Sequence, residues 1–162
     1  MHRLIVCNPE KCLGCNICEF VCSAVKEECL DSSHSRIHVV NFEPIGSVAL
    51  PCVFCKKPAC VTACPRKALY QNEKAVIQVD EKKCNGCGWC IRACEFGAIT
   101  MHPLKKTVMV CDLCDGEPEC VEACPFEGAL TWVTRKEVAP KFRRGIIVNF
   151  FQEPIGKSKR SG

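Results

Sequence analysis

Sixteen of the eighteen cysteines in this 162-residue chain stand in four groups of four. Cys12, Cys15, Cys18 and Cys22 are spaced C-x2-C-x2-C-x3-C, and Cys84, Cys87, Cys90 and Cys94 repeat that spacing. Cys52, Cys55, Cys60 and Cys64 follow C-x2-C-x4-C-x3-C and precede Pro65, while Cys111, Cys114, Cys120 and Cys124 follow C-x2-C-x5-C-x3-C and precede Pro125. Three close thiolates with a fourth three residues beyond form the ligand run of cubane iron–sulfur centres. Four thiolates per cube predict four [4Fe–4S] clusters, with all sixteen cysteines ligating iron. An all-cysteine zinc site takes two C-x2-C hooks a dozen or more residues apart and has no need of a triplet. A disulfide scaffold would have to pair cysteines two or three residues apart, which is poor geometry for the bond.

The elements that position these residues repeat along the chain. The motifs start at Cys12, Cys52, Cys84 and Cys111, so the spacers shorten from first to last. Each motif is expected to be a tight loop running into a short helix. Hairpin-like stretches lie between them: Ala68–Tyr70 and Ala75–Val79 flank the polar Gln71–Lys74 turn, and Ala98–Met101 and Thr107–Val110 flank a turn containing Pro103. Leu4–Cys7, Ile37–Phe42 and Leu130–Val133 read as further strands. Ser23–Pro51, the longest spacer, has most room for irregular structure and partner contact. Residues 136–162 carry no cysteine and include the apolar Ile146–Phe151 run before a basic Lys157–Arg160 end, and are expected to be a docking tail.

Composition supports a metal-dependent fold. Cysteine inflates the 48% hydrophobic content, aromatics are only 7%, and inorganic cubes are expected to fill the space a thin core leaves, so that the apo chain is largely unfolded. The formal charge of +4 counts every cysteine as neutral. Sixteen ligated thiolates and four oxidised cubes bring the holoprotein to about −4. No basic stripe interleaved with aromatics suggests nucleic acid. The N-terminal apolar run is shorter than a signal-peptide core, and no stretch reaches the roughly 18 apolar residues of a membrane span. A cytoplasmic location is expected. Cys7 and Cys29 fall outside the motifs and read as free thiols. His2, His34, His38 and His102 lack ligand spacing. Trp89 and Trp132 read as packing that shields clusters, and Glu95, beside Cys94, as a solvated residue of a first helical turn.

Spacing alone leaves open which motifs exchange their fourth cysteine, a reciprocal arrangement known from two-cluster ferredoxins. The runs Cys12–Cys22, Cys52–Pro65 and Cys84–Cys94 resemble the first three motifs of four-cluster ferredoxin-like electron-transfer subunits of tungsten and molybdenum oxidoreductases, formate dehydrogenases and carbon monoxide dehydrogenase–hydrogenase systems. The fourth motif is similar in kind, with a shorter gap between its second and third cysteines than many such subunits have. The resemblance covers about Leu4 to Val133. It implies an α+β fold of two bacterial-ferredoxin-like dicluster modules, one nested in the other: an inner module of about 51–96, and an outer one of about 1–50 plus 97–135. It also implies nested ligand sets. These are Cys12, Cys15, Cys18 and Cys124; Cys52, Cys55, Cys60 and Cys94; Cys64, Cys84, Cys87 and Cys90; and Cys22, Cys111, Cys114 and Cys120.

Nothing in the chain suggests a substrate site. There is no G-x-G-x-x-G after a strand, no phosphate loop and no nucleophile beside a base. Every cube has a full set of four protein ligands. A compact chain of this length is roughly 40 Å across, so four cubes must be near neighbours. The expected role is therefore non-catalytic: an electron-transfer subunit between a catalytic tungsten- or molybdenum-pterin subunit, aldehyde-oxidoreductase-like by the resemblance, and a second redox subunit or soluble carrier. Self-association is a further expectation. The alternatives are a free polyferredoxin and a subunit of a hydrogenase, carbon monoxide or formate dehydrogenase system.

Overall fold

A computed structural model describes residues 3–42 and 46–138. The Ile146–Phe151 run and all but the first three residues of the expected 136–162 tail lie outside them. Among the described residues, eight strands form four separate antiparallel pairs, with short helices between. Strand β1 (Arg3–Cys7) pairs with β8 (Leu130–Thr134), joining the two ends of the described chain, with Cys7 opposite Leu130. The other three pairs are hairpins: β2 (His38–Phe42) with β3 (Gly46–Leu50), β4 (Leu69–Gln71) with β5 (Ile77–Val79), and β6 (Ile99–Met101) with β7 (Val108–Val110). The helices between the strands are α1 (Ile17–Glu27), α2 (Ala59–Thr62), α3 (Trp89–Ala93) and α4 (Glu119–Glu122); α1 packs on α4, and α2 on α3.

Motifs two to four end alike. After the fourth cysteine the chain reaches a left-handed residue (Lys67, Gly97 or Gly128), then a fully buried alanine (Ala68, Ala98 or Ala129), then a strand. Pro65 and Pro125 bar any further extension of α2 and α4, since proline cannot donate to a helix, but α3 ends just before its fourth cysteine with Glu95 in that place. Ser23 follows Cys22 instead, and α1 runs on for five more residues to a left-handed cap at Glu28. The expected irregular spacer is thereby corrected. Most of Ser23–Pro51 is regular: the end of α1, a single tight turn at Ser32–His34 capped by Asp31, and the β2–β3 hairpin. Expected strands elsewhere agree with the observed ones to within a residue or two.

The core is a continuous apolar cluster that includes seven of the motif cysteines, with five more packed against it and Ile37 and Ile77 fully buried. Two side chains depart from expectation. Trp89 is 57% exposed, so it covers little, because it opens α3 on the outer side of the third motif. Glu95 is exposed but lies beyond the end of α3 rather than in a first turn. Trp132 is half-buried, with the Arg3 guanidinium 4.5 Å from its ring centre.

Candidate metal centres

Each motif presents its cysteines in the same way. The first two are joined by a short loop, the third lies within the helix that follows, and the fourth comes four residues later, still within the helix at Cys22 but just past the helix end at Cys64, Cys94 and Cys124. The residue before the second cysteine is left-handed in all four: Gly14, Phe54, Gly86 and Leu113. Glycine takes this conformation freely. At Gly14 a Cβ would also come within 2.5 Å of Ser47 Oγ and 2.7 Å of Asn41 Oδ1, so the β2–β3 hairpin leaves no room for one. Phe54 and Leu113 bear a left-handed cost of about 1–2 kcal/mol. Both side chains are buried, at 3% and 5% exposure, and burial worth about 1.5–3 kcal/mol offsets that cost. The guanidinium of Arg135 steadies the second loop, donating to the carbonyls of Val53 and Phe54 at 2.8 Å each.

Two cavities bring cysteines of distant motifs together. One, with about 320 Å³ of atom-free space including its open mouth, is lined by Cys12, Cys15, Cys18 and Cys124. Another, of about 330 Å³, is lined by Cys22, Cys111, Cys114 and Cys120, with Lys26, Arg36 and Asp112 at its wall. The remaining thiols group through their mutual electrostatics. Burial pushes Cys52 up to about 12, and nearby Cys60, Cys94 and Cys55 push the same way. Burial likewise raises Cys90 to about 11, with Cys64 and Cys84 as its charged neighbours. Cys87 stands exposed on the same loop as Cys84, as Cys15 does on the first. Cys111, raised well above the ordinary thiol range by burial, has Cys120, Cys22 and Cys52 around it, so the second and fourth motifs also adjoin.

This electrostatic pattern matches the chemistry of the donors. Burial and then like-charge neighbours also raise Cys18 and Cys120 to about 12. Buried thiols packed this closely cannot all ionise unless positive charge enters among them. Bound iron would supply that charge, and its binding would release the thiol protons. All eighteen cysteines are free of disulfides.

Backbone N–H groups already point at several sulfurs. Ala68 donates to Cys64 Sγ at 3.2 Å, Ala98 to Cys94 at 3.4 Å and Arg36 to Cys22 at 3.3 Å. Burial pushes Cys64 up, but N–H donors along the 66–69 turn outweigh it and hold this thiol below its usual range. Neither Lys26, in the first spacer, nor Asp112, between two cysteines of the fourth motif, carries a spacing signal that would single it out. Lys26 Nζ meets Asp112 at 2.7 Å, and Asp112 accepts from the Cys114 N–H at 3.1 Å. Cys7 is buried, as a free thiol was expected to be. Burial raises it to about 12, while the Ala49 N–H donates to its sulfur at 3.3 Å. Cys29 is half-buried.

Comparison with known proteins agrees with this chemistry. Two family models described as 4Fe-4S binding domain match residues 77–100 and 112–131. The polyferredoxin-like subunit of an aliphatic sulfonate oxidoreductase from Pyrococcus furiosus is 43% identical over 95% of this chain and 87% of its own. The electron transport protein HydN of Escherichia coli is 32% identical over 91% of this chain and 99% of its own. The oxidoreductase UacF of Escherichia coli is 39% identical over 78% of this chain, which spans only 21% of that longer protein. Among the described residues, no helix is long and apolar enough to cross a membrane.

Proposed function

Because this chain belongs to the family of polyferredoxin-like electron-transfer subunits of oxidoreductases, and so carries multiple [4Fe–4S] clusters, we propose that it holds four of them and relays electrons between a catalytic subunit and a redox carrier. The sixteen motif cysteines are the ligands in nested sets: Cys12, Cys15, Cys18 and Cys124; Cys22, Cys111, Cys114 and Cys120; Cys52, Cys55, Cys60 and Cys94; Cys64, Cys84, Cys87 and Cys90. The observation that carries this reading is the mixed lining of the two cavities, where Cys124 joins the first motif and Cys22 the fourth. The packing of α1 on α4 and of α2 on α3 supports the same exchange, and with it an inner module within an outer one. When bound, each cube takes up or releases one electron. The chain holds the cubes, shields the inner ones from water and sets the charge around them.

Proximity of Cys52 to Cys111 supports an order in which the second- and fourth-motif clusters are neighbours and the first- and third-motif clusters are terminal. Exposure of Cys15 and Cys87 supports electron entry and exit at those ends. The chain itself is non-catalytic. Its partner is a tungsten- or molybdenum-pterin subunit, and the 43% identical relative favours an organic sulfonate over an aldehyde as that partner's substrate.

Alanine variants test the ligand sets. Cys22→Ala and Cys111→Ala should each remove one cube, about a quarter of the iron, and the double variant should lose no more than either alone. Loss of two cubes by the double variant would show that Cys22 serves the second motif instead. Purification of the native assembly tests the partner: the chain should elute with a pterin-containing subunit, and elution as a free 18.0 kDa monomer refutes the subunit reading.

A further inference from the structure

The two ends that carry the exposed cysteines share one frame. Counted from the first cysteine of each motif, Leu13, Ile17 and Phe20 correspond to Asn85, Trp89 and Arg92, while Glu10 and Lys11 correspond to Lys82 and Lys83. The hairpins behind the two loops correspond as well. A Cβ at Gly14 would meet the Ser47 side chain, and a Cβ at Gly86 would come within 3.3 Å of the Lys106 carbonyl and 3.4 Å of Met101 Sδ. After the exchanged cysteine, Phe126 and Glu127 stand where the third-motif end has Arg66 and Lys67.

This common frame carries opposite surfaces. Arg66, Lys67, Lys82, Lys83, Arg92 and Lys106 are all exposed. Arg66 Nε donates to the Lys83 carbonyl at 2.6 Å, which ties two of the loops into one face, and Lys106 backs the loop that presents Cys87. Trp89 and Arg92, three residues apart on α3, share one side of that helix, so an exposed indole lies beside a cation. These six cations stand against three acids, Asp80, Glu81 and Glu95, and Asp80 is already paired with Lys83 at 2.9 Å. At the corresponding first-motif positions a single cation, Lys11, stands against Glu10 and Glu127, and Leu13, Ile17 and Phe20 are exposed. Cluster charge does not account for the difference. Both cubes would take four thiolates and carry the same charge, yet the cations gather at one of them.

We propose that the third-motif face is the docking site of a small acidic electron-carrier protein, which exchanges electrons with the third-motif cluster. The inference rests on the four-cluster relay reading and names the carrier's charge and the place where it binds. Charge complementarity selects this occupant, because a basic face steers an acidic partner to it. A charged patch with one exposed aromatic also suits a transient redox encounter better than a permanent, more apolar interface. Residues 139–162 fit the face worse, since Lys141, Arg143, Arg144, Lys157, Lys159 and Arg160 outnumber their one acid, Glu153. In the outward direction one electron passes: the cube is oxidised and the carrier is reduced.

The test mixes the full-length holoprotein, reduced with dithionite and freed of excess, with an oxidised cytochrome in an anaerobic stopped-flow instrument. One probe is an acidic b-type cytochrome, and the other is a basic c-type cytochrome, whose Met/His ligation raises its potential. Reduction of the acidic probe should slow at least about tenfold between about 0.05 and about 0.5 M salt, and the basic probe should show no such fall. Lys82→Glu, Arg92→Glu and Lys106→Glu together should slow the acidic probe at least about tenfold at low salt, with iron content unchanged. Lys11→Glu, at the other end, should change that rate less than about twofold. An acidic-probe rate indifferent to salt or to the triple change overturns the proposal. If the triple variant loses iron, Lys82→Glu alone decides, and a rate indifferent to that change overturns it equally. In the native assembly with its catalytic subunit the acidic-probe rate should persist; its loss there would show the face already covered and would also overturn the proposal. Failure of the underlying relay reading looks different: neither cytochrome would be reduced.

Discussion

Glu27, the last residue of α1, holds three cationic or donor groups from two other parts of the chain. Its Oε1 accepts from Arg36 Nη2 at 2.8 Å, and its Oε2 accepts from His102 Nε2 at 3.2 Å and Lys105 Nζ at 3.1 Å. His102 Nδ1 already accepts from the backbone N–H groups of Leu104 and Lys105, so the ring proton sits on Nε2, facing the carboxylate. Burial works against the charge on Glu27, but the Lys105 and His102 hydrogen bonds and the Arg36 charge outweigh it and hold the carboxyl down at about 2, from 4.5. A shift of that size sets a ceiling of about 3 kcal/mol on the carboxylate's contribution at neutral pH. The Glu27 side chain is only 12% exposed, but Lys105 is half exposed and its share is screened, which leaves about 2 kcal/mol.

Glu27→Gln keeps the shape and removes the charge. It should raise the population of the opened α1 terminus by about 30-fold. The assay is the rate of loss of the clusters' visible absorbance in low guanidinium under anaerobic conditions. Glu27 lines neither cavity, but its partner Arg36 stands at the wall of the one holding Cys22, so a faster loss reports opening when the iron content before guanidinium equals the parent's. The folded-state carboxyl is depressed, so its contribution is complete above about pH 4.5 and disappears as pH falls toward about 2. The gap between variant and parent should therefore be constant from neutrality to about pH 5 and narrow below that. A Glu27→Gln protein that bleaches within twofold of its parent at pH 7 would refute the reasoning.

Two further outcomes follow from other contacts. Gly14→Ala should weaken the first cysteine loop, because the new methyl enters the space of Ser47 Oγ and the residue is left-handed. We expect roughly 1–3 kcal/mol of destabilisation, and a variant as resistant to guanidinium as the parent would count against the crowding. Arg135→Met should cost about 2 kcal/mol by leaving the Val53 and Phe54 carbonyls without their shared donor. Its effect should appear first as faster amide exchange in the second-motif loop, and unchanged exchange there would show that the clamp is idle.

The cysteine spacing made the donor sets and the short hairpins legible, because ligand geometry and strand alternation are both local signals. The turns at Gln71–Lys74 and around Pro103 announced β4–β5 and β6–β7 in the same way. Strand β3 went unread because Gly46–Leu50 has neither strong alternation nor a turn signature beyond Pro44; its pairing with β2 defines it. The extension of α1 was not legible, since the third motif also lacks proline after its last cysteine and α3 still ends at Ala93. Nor was the exposure of Trp89, since the same residue type serves in cores and on surfaces. Least legible of all was the Glu27 cluster. Arg36, His102 and Lys105 are scattered over the sequence, and only the fold assembles them.

The pairing of β1 with β8 has a consequence for how the chain is made. Roughly 120 residues separate Cys7 from its partner Leu130, which at about 5–20 residues per second is roughly 6–24 s of synthesis. During that interval the apolar Leu4–Cys7 edge has no partner strand, while β4 and β5, separated by a short turn, can close almost as soon as they emerge. Assembly should therefore proceed from the middle outward, and the ribosome-bound chain presents an open strand edge of the kind that invites aggregation or a chaperone. A truncation before Leu130 would make that temporary exposure permanent.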